Sequence, residues 1–422
     1  MCRPVCVLTC ALALVGSAIA CGDDTMPGAG ASTAGSHAGG GNAGTGNGGG
    51  AGNGSGAGNG SGAGNGSGAG NGSAGNGSDA GNGSAGNGSA GDAGGAGNGA
   101  NAGSSGSDAG QGGSAVWRPF NDDSPWNTPI EPNPALEGDS DALIADFASS
   151  SPFGVHLDVN IEQFSVPRFE ADANTPLVSM LCNVGGLGFT GSNGQNATAM
   201  LPMPADAMPD QASDAHLLII DRSTHTEWGL WHAANNGGQW TCGTGASLDL
   251  SGTGVRPLAE GNPTWYTSHG PRACGFGLVA GLIRTEEIDA GAIEHALVVG
   301  YPHIRAGLYT SPASTAQAHI GDQAVMTRGI PCGGHIQYDP SVDVDSLGLS
   351  PAGRAIVVAL QKYGAYVGDF SGGLSLYAES SPDARAHWAN GVLAGNVLNG
   401  KIDLAAFRVL ALGMQYDNGN GN

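Results

Sequence analysis

The chain has 422 residues, and 36 acidic residues against 14 lysines and arginines give it a formal net charge of −22 at pH 7. Such a field repels polyanions, so we expect no nucleic-acid partner unless a local basic pocket or a bound cation provides one. The same field modestly favours a neutral substrate over an anionic one.

Residues 1–20 have the profile of an export signal, because Arg3 is followed by an apolar stretch too short to span a bilayer and then by small residues. Cys21 comes directly after these small residues, which predicts cleavage before a lipidated Cys21. Plain secretory cleavage is the alternative. Gly22 does not supply an acidic inner-membrane retention signal, so we expect an extracytoplasmic protein held at the outer membrane or cell surface by lipid alone.

Residues 21–114 form a linker of Ala-Gly-Asn-Gly-Ser repeats after the lipidated cysteine. Almost no side chain here can bury apolar area and offset the entropy of ordering the chain, which predicts a disordered tether. A glycine-rich coil of this length reaches roughly 50–60 Å. The composition changes near Val116, and residues 115–422 are predicted to form one folded domain.

Four cysteines lie in the predicted domain: Cys182, Cys242, Cys274 and Cys332. An even number in an oxidising compartment predicts two disulfides, and their spacing leaves all three connectivities open. A zinc site is the alternative, although no pair has the two-residue spacing of a zinc knuckle.

The domain begins with a proline-rich segment that is predicted to be extended and clamped by Trp126, followed by a helix over 140–148 capped by Ser140. From Gly154 to about Tyr338, short apolar runs broken by Gly, Pro and Asn predict an antiparallel β-sandwich or jelly roll with a few packed helices. The predicted strands are VHLDVNI, TPLVSML, AHLLIID, HTEWGLWHA, GFGLVAGLI, HALVVGY, AGLYT and HIQYD.

In AHLLIID, the alternation puts Leu218 and Ile220 on the face of His216, and Leu217 and Ile219 on the other face. This strand is predicted to pair with HTEWGLWHA through the turn at 222–225. Beyond the strands, a helix is predicted from Ser350 to Tyr366, then a strand over 371–379, and two closing helices over 381–395 and 401–413.

Histidines in predicted strands are the first candidates for chemistry, because a polar sheet face can gather them as acid and base. His216 and His295 are candidate catalytic groups, and His232 is a candidate substrate-binding group; hydrogen-bonded structural roles are the alternative. Asp249 is a candidate acid and Arg256 a candidate substrate-orienting group on a glycine-punctuated loop, where a turn carboxylate and a surface ion pair are the alternative.

Aromatic residues concentrate in a short stretch that contains Trp228 and Trp265. Aromatic faces stack on sugar rings, so these two are candidate substrate-binding residues; burial in an aromatic core is the alternative. The cofactor is left open, because the spacing of Asp339, Asp343 and Asp345 could hold Ca²⁺ but lacks the full EF-hand pattern and equally suits solvated turn carboxylates.

Four strings taken together, DAHLLIIDR, GTGASLDL followed by RP, GLVAGLIRTEEIDAGAIEHAL and LGLSPAGRAIVVALQKYGAYVGDFSGG, resemble a family of secreted proteins of actinobacteria and myxobacteria. The resemblance covers roughly Trp117 to Tyr377. It implies a secreted single domain, and because that family has no established reaction it transfers no catalytic residue.

Export, tether, β-rich pattern and clustered aromatics together predict a carbohydrate-active enzyme, either a polysaccharide hydrolase or a lyase. A non-catalytic glycan-binding or adhesion module is the alternative. A protease or esterase is a third hypothesis, and it would require a serine nucleophile because the cysteines are expected to be paired. The G-x-S-x-G, H-E-x-x-H and P-loop motifs do not occur in the sequence.

Overall fold

The structure is a computed structural model, and it describes residues 116–151, 154–316 and 328–417. All of these residues belong to one compact unit. The predicted signal, Cys21 and the predicted tether lie outside the described residues. Among the residues described, no helix has the length and apolar character needed to cross a membrane.

Strands make up more of the described chain than helices, which confirms the prediction of a mainly-β fold with a few packed helices. The α-helices are α1 (Ser140–Ser149), α2 (Thr285–Ala290), α3 (Pro351–Lys362) and α4 (Pro382–His387). Short 3-10 turns occur at Trp265–Ser268, Val344–Leu347 and Leu404–Ala406, and a π-type turn at Trp388–Val392.

The largest sheet has eight strands in the order β2-β6-β7-β9-β3-β5-β4, with β8 paired to β9. These strands are β2 (Arg168–Ala171), β3 (Leu177–Gly185), β4 (Thr190–Ser192), β5 (Gln195–Pro202), β6 (Leu217–Asp221), β7 (Thr226–Trp231), β8 (Ala234–Asn236) and β9 (Gln239–Asp249).

A second sheet has six strands in the order β1-β15-β10-β14-β13-β16, and a third has three in the order β12-β11-β17. Their strands are β1 (Asp158–Asn160), β10 (Leu297–Gly300), β11 (Arg305–Thr310), β12 (Pro331–Cys332), β13 (His335–Tyr338), β14 (Ala365–Asp369), β15 (Ser375–Tyr377), β16 (Phe407–Val409) and β17 (Gln415–Asp417). Pairing is mixed in every sheet, since β2·β6, β10·β14 and β11·β12 are parallel.

Strand β6 separates two hydrophobic cores, and its residues divide between them as the predicted alternation of faces requires. Leu218 and Ile220 join the larger core, which also contains the six-stranded sheet and the helices, whereas Leu217 and Ile219 join a smaller core on the other face. The predicted hairpin with β7 is confirmed, with Asp221 opposite Thr226. Because both faces are covered, all five residues of β6 are buried.

Trp126 anchors the proline-rich segment, as predicted, and is 1% exposed. Its ring meets those of Phe276 and Tyr366 edge-on, at centroid distances of 4.8 and 5.0 Å. Both predicted disulfides are present, and the structure selects the connectivity Cys182–Cys242 and Cys274–Cys332.

Two helix boundaries differ from the sequence prediction. Ser140 lies inside α1 rather than at its cap, because Asp139 is the N-cap and the Ser140 hydroxyl accepts from the Val409 amide, 2.9 Å away. Helix α3 has the predicted Ser350 cap but ends at Lys362, since Gly364 has a φ of +71° that begins a new strand rather than another helical turn.

Two predicted elements are wrong. The segment 401–413 is not a helix, because Phe407 and Val409 pair with β13 and bury their side chains in the larger core. The segment 275–283 is not a strand: its amides at Leu278 and Val279 donate to the carboxylate of Glu227 instead of to a neighbouring strand. The prediction over 381–395 holds in part, as α4 followed by the π-type turn.

Candidate functional site

Arg272 lies on a loop that is fastened at the carboxyl end of β14. Its neighbour Cys274 is disulfide-bonded to Cys332 in β12, and the Cys274 amide donates to the Gly368 carbonyl at 3.3 Å. The Ala273 amide also donates to the carboxylate of Asp369, at 3.4 Å. These contacts fix Arg272 beside the last residue of β14.

The Arg272 side chain is 0% exposed, although it carries a positive charge. Its Nη1 atom lies 3.5 Å from Oδ2 of Asp369, and its guanidinium carbon lies 4.2 Å from the centre of the Tyr377 ring. None of its three nitrogens makes a hydrogen bond of good geometry to a described residue. A buried guanidinium with free donors is costly, so this arrangement points to a functional site rather than to a stabilising contact.

Two carboxyl groups accompany this cation. Burial raises the pKa of Asp369 to about 6, the Arg272 charge lowers it, and the Asp214 carboxylate raises it further. Burial also raises the pKa of Asp214, against a hydrogen bond from the Trp231 side chain and the charges of His232 and Arg272. The Asp369 side chain is 15% exposed and Asp214 is half-buried, so both residues are partly accessible to solvent.

His216 lies near Arg272, just before β6, and is 1% exposed. The backbone groups of Ser165 and Pro271 lie beside its ring, but neither ring nitrogen makes a hydrogen bond of good geometry. Burial and the nearby Arg272 charge lower the pKa of His216 to about 3, so the ring is neutral at pH 7. We call Arg272, Asp369, Asp214, His216 and Tyr377 the Arg272 cluster.

Three hydroxyl groups converge beside this cluster at Gly300, the last residue of β10. A Cβ atom placed on Gly300 would lie 2.6 Å from Oη of Tyr377, 2.8 Å from Oγ of Ser371 and 2.9 Å from Oγ of Ser375. Gly300 pairs with Asp369 on one side and with Ser375 on the other, so register brings the hydroxyls and the carboxyl to one edge of the sheet. Only glycine leaves room for them there.

Aromatic rings flank the exposed side of the Arg272 cluster. The His232 ring stacks on Trp231 at 3.6 Å with an interplanar angle of 15°, and the His232 amide donates to the Asp214 carbonyl at 2.8 Å. Phe370 follows Asp369 and is 37% exposed. The cluster therefore combines a buried cation with partly exposed aspartates, and each of these aspartates lies next to an aromatic residue in the chain or in a backbone hydrogen bond.

Of the two histidines proposed from the sequence as catalytic, His216 belongs to this cluster and His295 does not. Nε2 of His295 lies 2.9 Å from Oε1 of Glu287, and Nδ1 lies 2.8 Å from the Ala296 carbonyl. Glu287 also accepts from Arg284, and both acidic and basic partners are buried. His295 and Arg284 thus share the buried Glu287 carboxylate, which fits the structural alternative for His295.

Asp249 and Arg256 do not form the predicted pair. The carboxylate of Asp249 is exposed and accepts from the hydroxyl and amide of Ser251, and these hydrogen bonds lower its pKa. Arg256 is buried, donates to the carbonyls of Ser247 and Gly275, and lies near Glu227. Asp249 is thus a turn-stabilising carboxylate, and Arg256 holds loops together.

The two aromatic residues predicted to bind substrate lie in different environments. Trp228 is half-buried and packs edge-on against Phe189 in the smaller core. Trp265 is 41% exposed and borders a pocket of about 560 Å³. Only Trp265 therefore presents a free aromatic face.

The aspartates considered for Ca²⁺ each take part in local structure. Asp339 accepts from the Ser341 amide, Asp343 caps the 3-10 turn at Val344–Leu347, and Asp345 pairs with Arg354 at 2.8 Å. Within the described ranges, no three His, Cys, Asp or Glu side chains are placed to hold a metal ion.

Comparison of the chain with protein-family models, with curated proteins and with solved structures found no significant match. The resemblance to the secreted actinobacterial and myxobacterial family stays an expectation from sequence. The functional argument therefore rests on the Arg272 cluster itself.

Proposed function

We propose that the protein is an exported, lipid-anchored carbohydrate-active enzyme that hydrolyses glycosidic bonds at the Arg272 cluster. Asp369 is the general acid and Asp214 is the second carboxylate, acting as base or nucleophile. The observation that carries this proposal is a buried guanidinium without hydrogen bonds that is electrostatically coupled to two partly exposed aspartates, one of them 3.5 Å away.

Asp369 suits the acid role because its pKa of about 6 keeps about a tenth of the molecules protonated at pH 7 and more at lower pH. Its partial exposure allows the proton to reach a glycosidic oxygen. As the proton leaves, the carboxylate gains charge beside Nη1 of Arg272, 3.5 Å away. The guanidinium then stabilises the ionised form that the reaction produces.

Asp214 is assigned the complementary role although burial raises its pKa, because three neighbours act in the opposite direction and favour its ionised form. The Trp231 side chain donates a hydrogen bond to it, and His232 and Arg272 supply favourable charge. The stacked rings of Trp231 and His232 and the exposed Phe370 add apolar faces against which a sugar ring can pack.

Export and lipid anchoring belong to the same proposal. Two disulfides are usual in proteins of an oxidising compartment, which supports export. Acylation of Cys21 would hold the enzyme on the outer membrane or cell surface, and the glycine-rich linker would let the domain reach an extended polymer. Mass spectrometry of the mature N-terminus tests this part, because an unmodified Met1 or an unlipidated Cys21 would contradict it.

The reaction is tested by incubating the detergent-solubilised full chain with a panel of neutral and acidic polysaccharides. New reducing ends without ultraviolet absorbance of unsaturated uronates are expected. Asp369→Asn and Asp214→Asn should each lower the rate by about 10²-fold or more. Asp249→Asn is the matched control, since this exposed turn carboxylate lies outside the cluster.

Other outcomes would overturn the proposal in recognisable ways. Unsaturated products would identify a lyase instead. Retention on a polysaccharide column with no product would identify a binding module, for which Asp369→Asn should change nothing. Full activity in both aspartate variants would remove the Arg272 cluster as the reaction centre.

A further inference from the structure

A pocket of about 560 Å³ lies beside the 3-10 turn at Trp265–Ser268. The Trp265 side chain borders it and meets the His269 ring edge-on, with centroids 4.9 Å apart and planes at 75°. The volume falls within the range of small-ligand pockets. The partly exposed indole and a second ring set across it form a corner that suits the apolar face of a six-membered saturated ring.

The loop that carries Trp265 is braced by its own hydrogen bonds. Oδ1 of Asn262 accepts from the amide and hydroxyl of Thr264, both at 2.9 Å, and Nδ2 donates to Thr267 at 3.0 Å. The Ser268 hydroxyl donates to the Trp265 carbonyl at 2.6 Å. The pocket is therefore formed before a ligand arrives, which lowers the entropy cost of binding.

The pocket is electrically neutral. Of the described residues that line it, none is Asp, Glu, Lys or Arg, and burial lowers the pKa of His269 so that its ring is uncharged at pH 7. Nδ1 of His269 faces the Trp265 carbonyl at 3.2 Å and so carries the proton, which leaves Nε2 as an acceptor. A neutral, hydroxyl-bearing ligand matches these features better than an anion or a cation does.

Most of the pocket lining and Arg272 of the cluster lie on one stretch of chain. His269 is three residues before Arg272, so their Cα atoms are at most about 11 Å apart. We propose that the Trp265 pocket is a subsite for the polysaccharide that is cleaved at the Arg272 cluster. It holds a neutral sugar ring that lies a few sugar units from the cleaved bond. The inference rests on the proposed hydrolase function.

Binding is measured by isothermal titration calorimetry on the full chain carrying Asp369→Asn, which is expected to prevent turnover under the proposed mechanism. The probes are three neutral hexasaccharides: cellohexaose, xylohexaose and mannohexaose. Adding Trp265→Ala should weaken binding of the preferred hexasaccharide by about 3- to 10-fold, which is the range of one lost aromatic contact. Trp265→Phe should recover part of that loss because it keeps an aromatic face.

Leu177→Ala is the control for general surface change. Leu177 is 62% exposed at the first residue of β3, whereas Gly186, just past the opposite end of that strand, faces the His269 carbonyl. Equal affinities in the Trp265→Ala and Leu177→Ala proteins would overturn the subsite, as would the absence of binding by all three probes.

The subsite and the hydrolase proposal fail in different ways. If Asp369→Asn keeps full turnover while Trp265→Ala still weakens binding, the hydrolase proposal falls and the sugar site remains as a binding site. If Asp369→Asn abolishes turnover but Trp265→Ala leaves both affinity and the KM for the hexasaccharide unchanged, the subsite alone falls.

Discussion

The two disulfides form a matched pair for testing where the functional site lies. Cys182–Cys242 joins β3 to β9 beside the smaller core, whereas Cys274–Cys332 fastens the Arg272 loop to β12. The sequence separations are 60 and 58 residues, and all four cysteines are buried. Each disulfide is removed by a double Cys→Ala substitution.

The expected loss of stability is almost the same for the two double variants. With loops of 60 and 58 residues, the chain-entropy treatment gives about 4 kcal/mol for each disulfide at 25 °C. The difference between them is less than about 0.1 kcal/mol, because the term depends only on the logarithm of loop length. Urea unfolding of both variants measures these losses.

The two double variants should differ in turnover although they lose the same stability. The amides of Ala273 and Cys274 bond to Asp369 and Gly368, so release of Cys274 loosens the ion pair between Arg272 and Asp369. We expect kcat/KM of Cys274→Ala/Cys332→Ala to fall about 10-fold or more when it is measured at urea concentrations well below the unfolding midpoint. In Cys182→Ala/Cys242→Ala it should stay within about 2-fold. Equal loss of activity in both, at equal folded fraction, would refute this location of the site.

Three further predictions concern single residues. Gly300→Ala should lower the unfolding free energy by about 1–3 kcal/mol and reduce turnover, because its Cβ would lie within 3 Å of three hydroxyl oxygens. Gly138→Ala is the control, since a Cβ there meets nothing within 4 Å. Equal urea midpoints for the two variants would contradict the packing argument. Burial alone would raise the pKa of Glu287, but the charges of His295 and Arg284 lower it to about 2. Glu287 therefore stabilises the fold above pH 4.5, and this contribution, on the order of 3 kcal/mol, is lost as the pH falls towards 2. Glu287→Gln should flatten that acid limb in pH-dependent urea unfolding; an unchanged limb would assign it to other carboxylates. The pH dependence of stability due to Asp369 has the opposite sign, because its pKa is raised to about 6 in the folded protein. Its contribution is complete below pH 3.8, and up to about 3 kcal/mol is lost as the pH rises to 6. Asp369→Asn should remove this decline, and a steeper decline in the variant would disprove the assignment.

Local patterns predicted much of the fold. The β6–β7 hairpin, the Ser350 cap and the buried face of α1 each depend on a few neighbouring residues, whose periodicity and capping chemistry are visible in the sequence. Cysteine parity predicted two disulfides but not their pairing, which depends on contacts across about sixty residues.

Tertiary pairing overrode local pattern where prediction failed. Residues 404–410 have helical spacing, yet Phe407 and Val409 pair with β13 because the edge of the six-stranded sheet supplies partners that an isolated helix would lack. The helix predicted to Tyr366 ends early for a reason the sequence does contain. Gly364 follows an amphipathic run and precedes four apolar or small residues and Asp369, the signature of a helix stop and a new buried strand.

Most of the Arg272 cluster could not be predicted, because its members come from separate segments. His216 was proposed from its strand position, but Arg272, Asp369, Asp214 and Tyr377 belong to no motif. Arg272 and Asp369 are 97 residues apart, and only the register of β10, β14 and β15 brings their surroundings together. Conversely, Asp249 and Arg256 are close in sequence but have different partners.

A comparison of the buried arginines separates structural from functional cations. Arg256 donates to two carbonyls and lies near the fully buried Glu227, and Arg284 donates to the fully buried Glu287. Both charges are thus balanced in places that solvent does not reach. Arg272 differs, since none of its three nitrogens makes a hydrogen bond of good geometry to a described residue. Among the described buried arginines, this lack of hydrogen bonds distinguishes Arg272 from the two cations whose contacts hold the fold together.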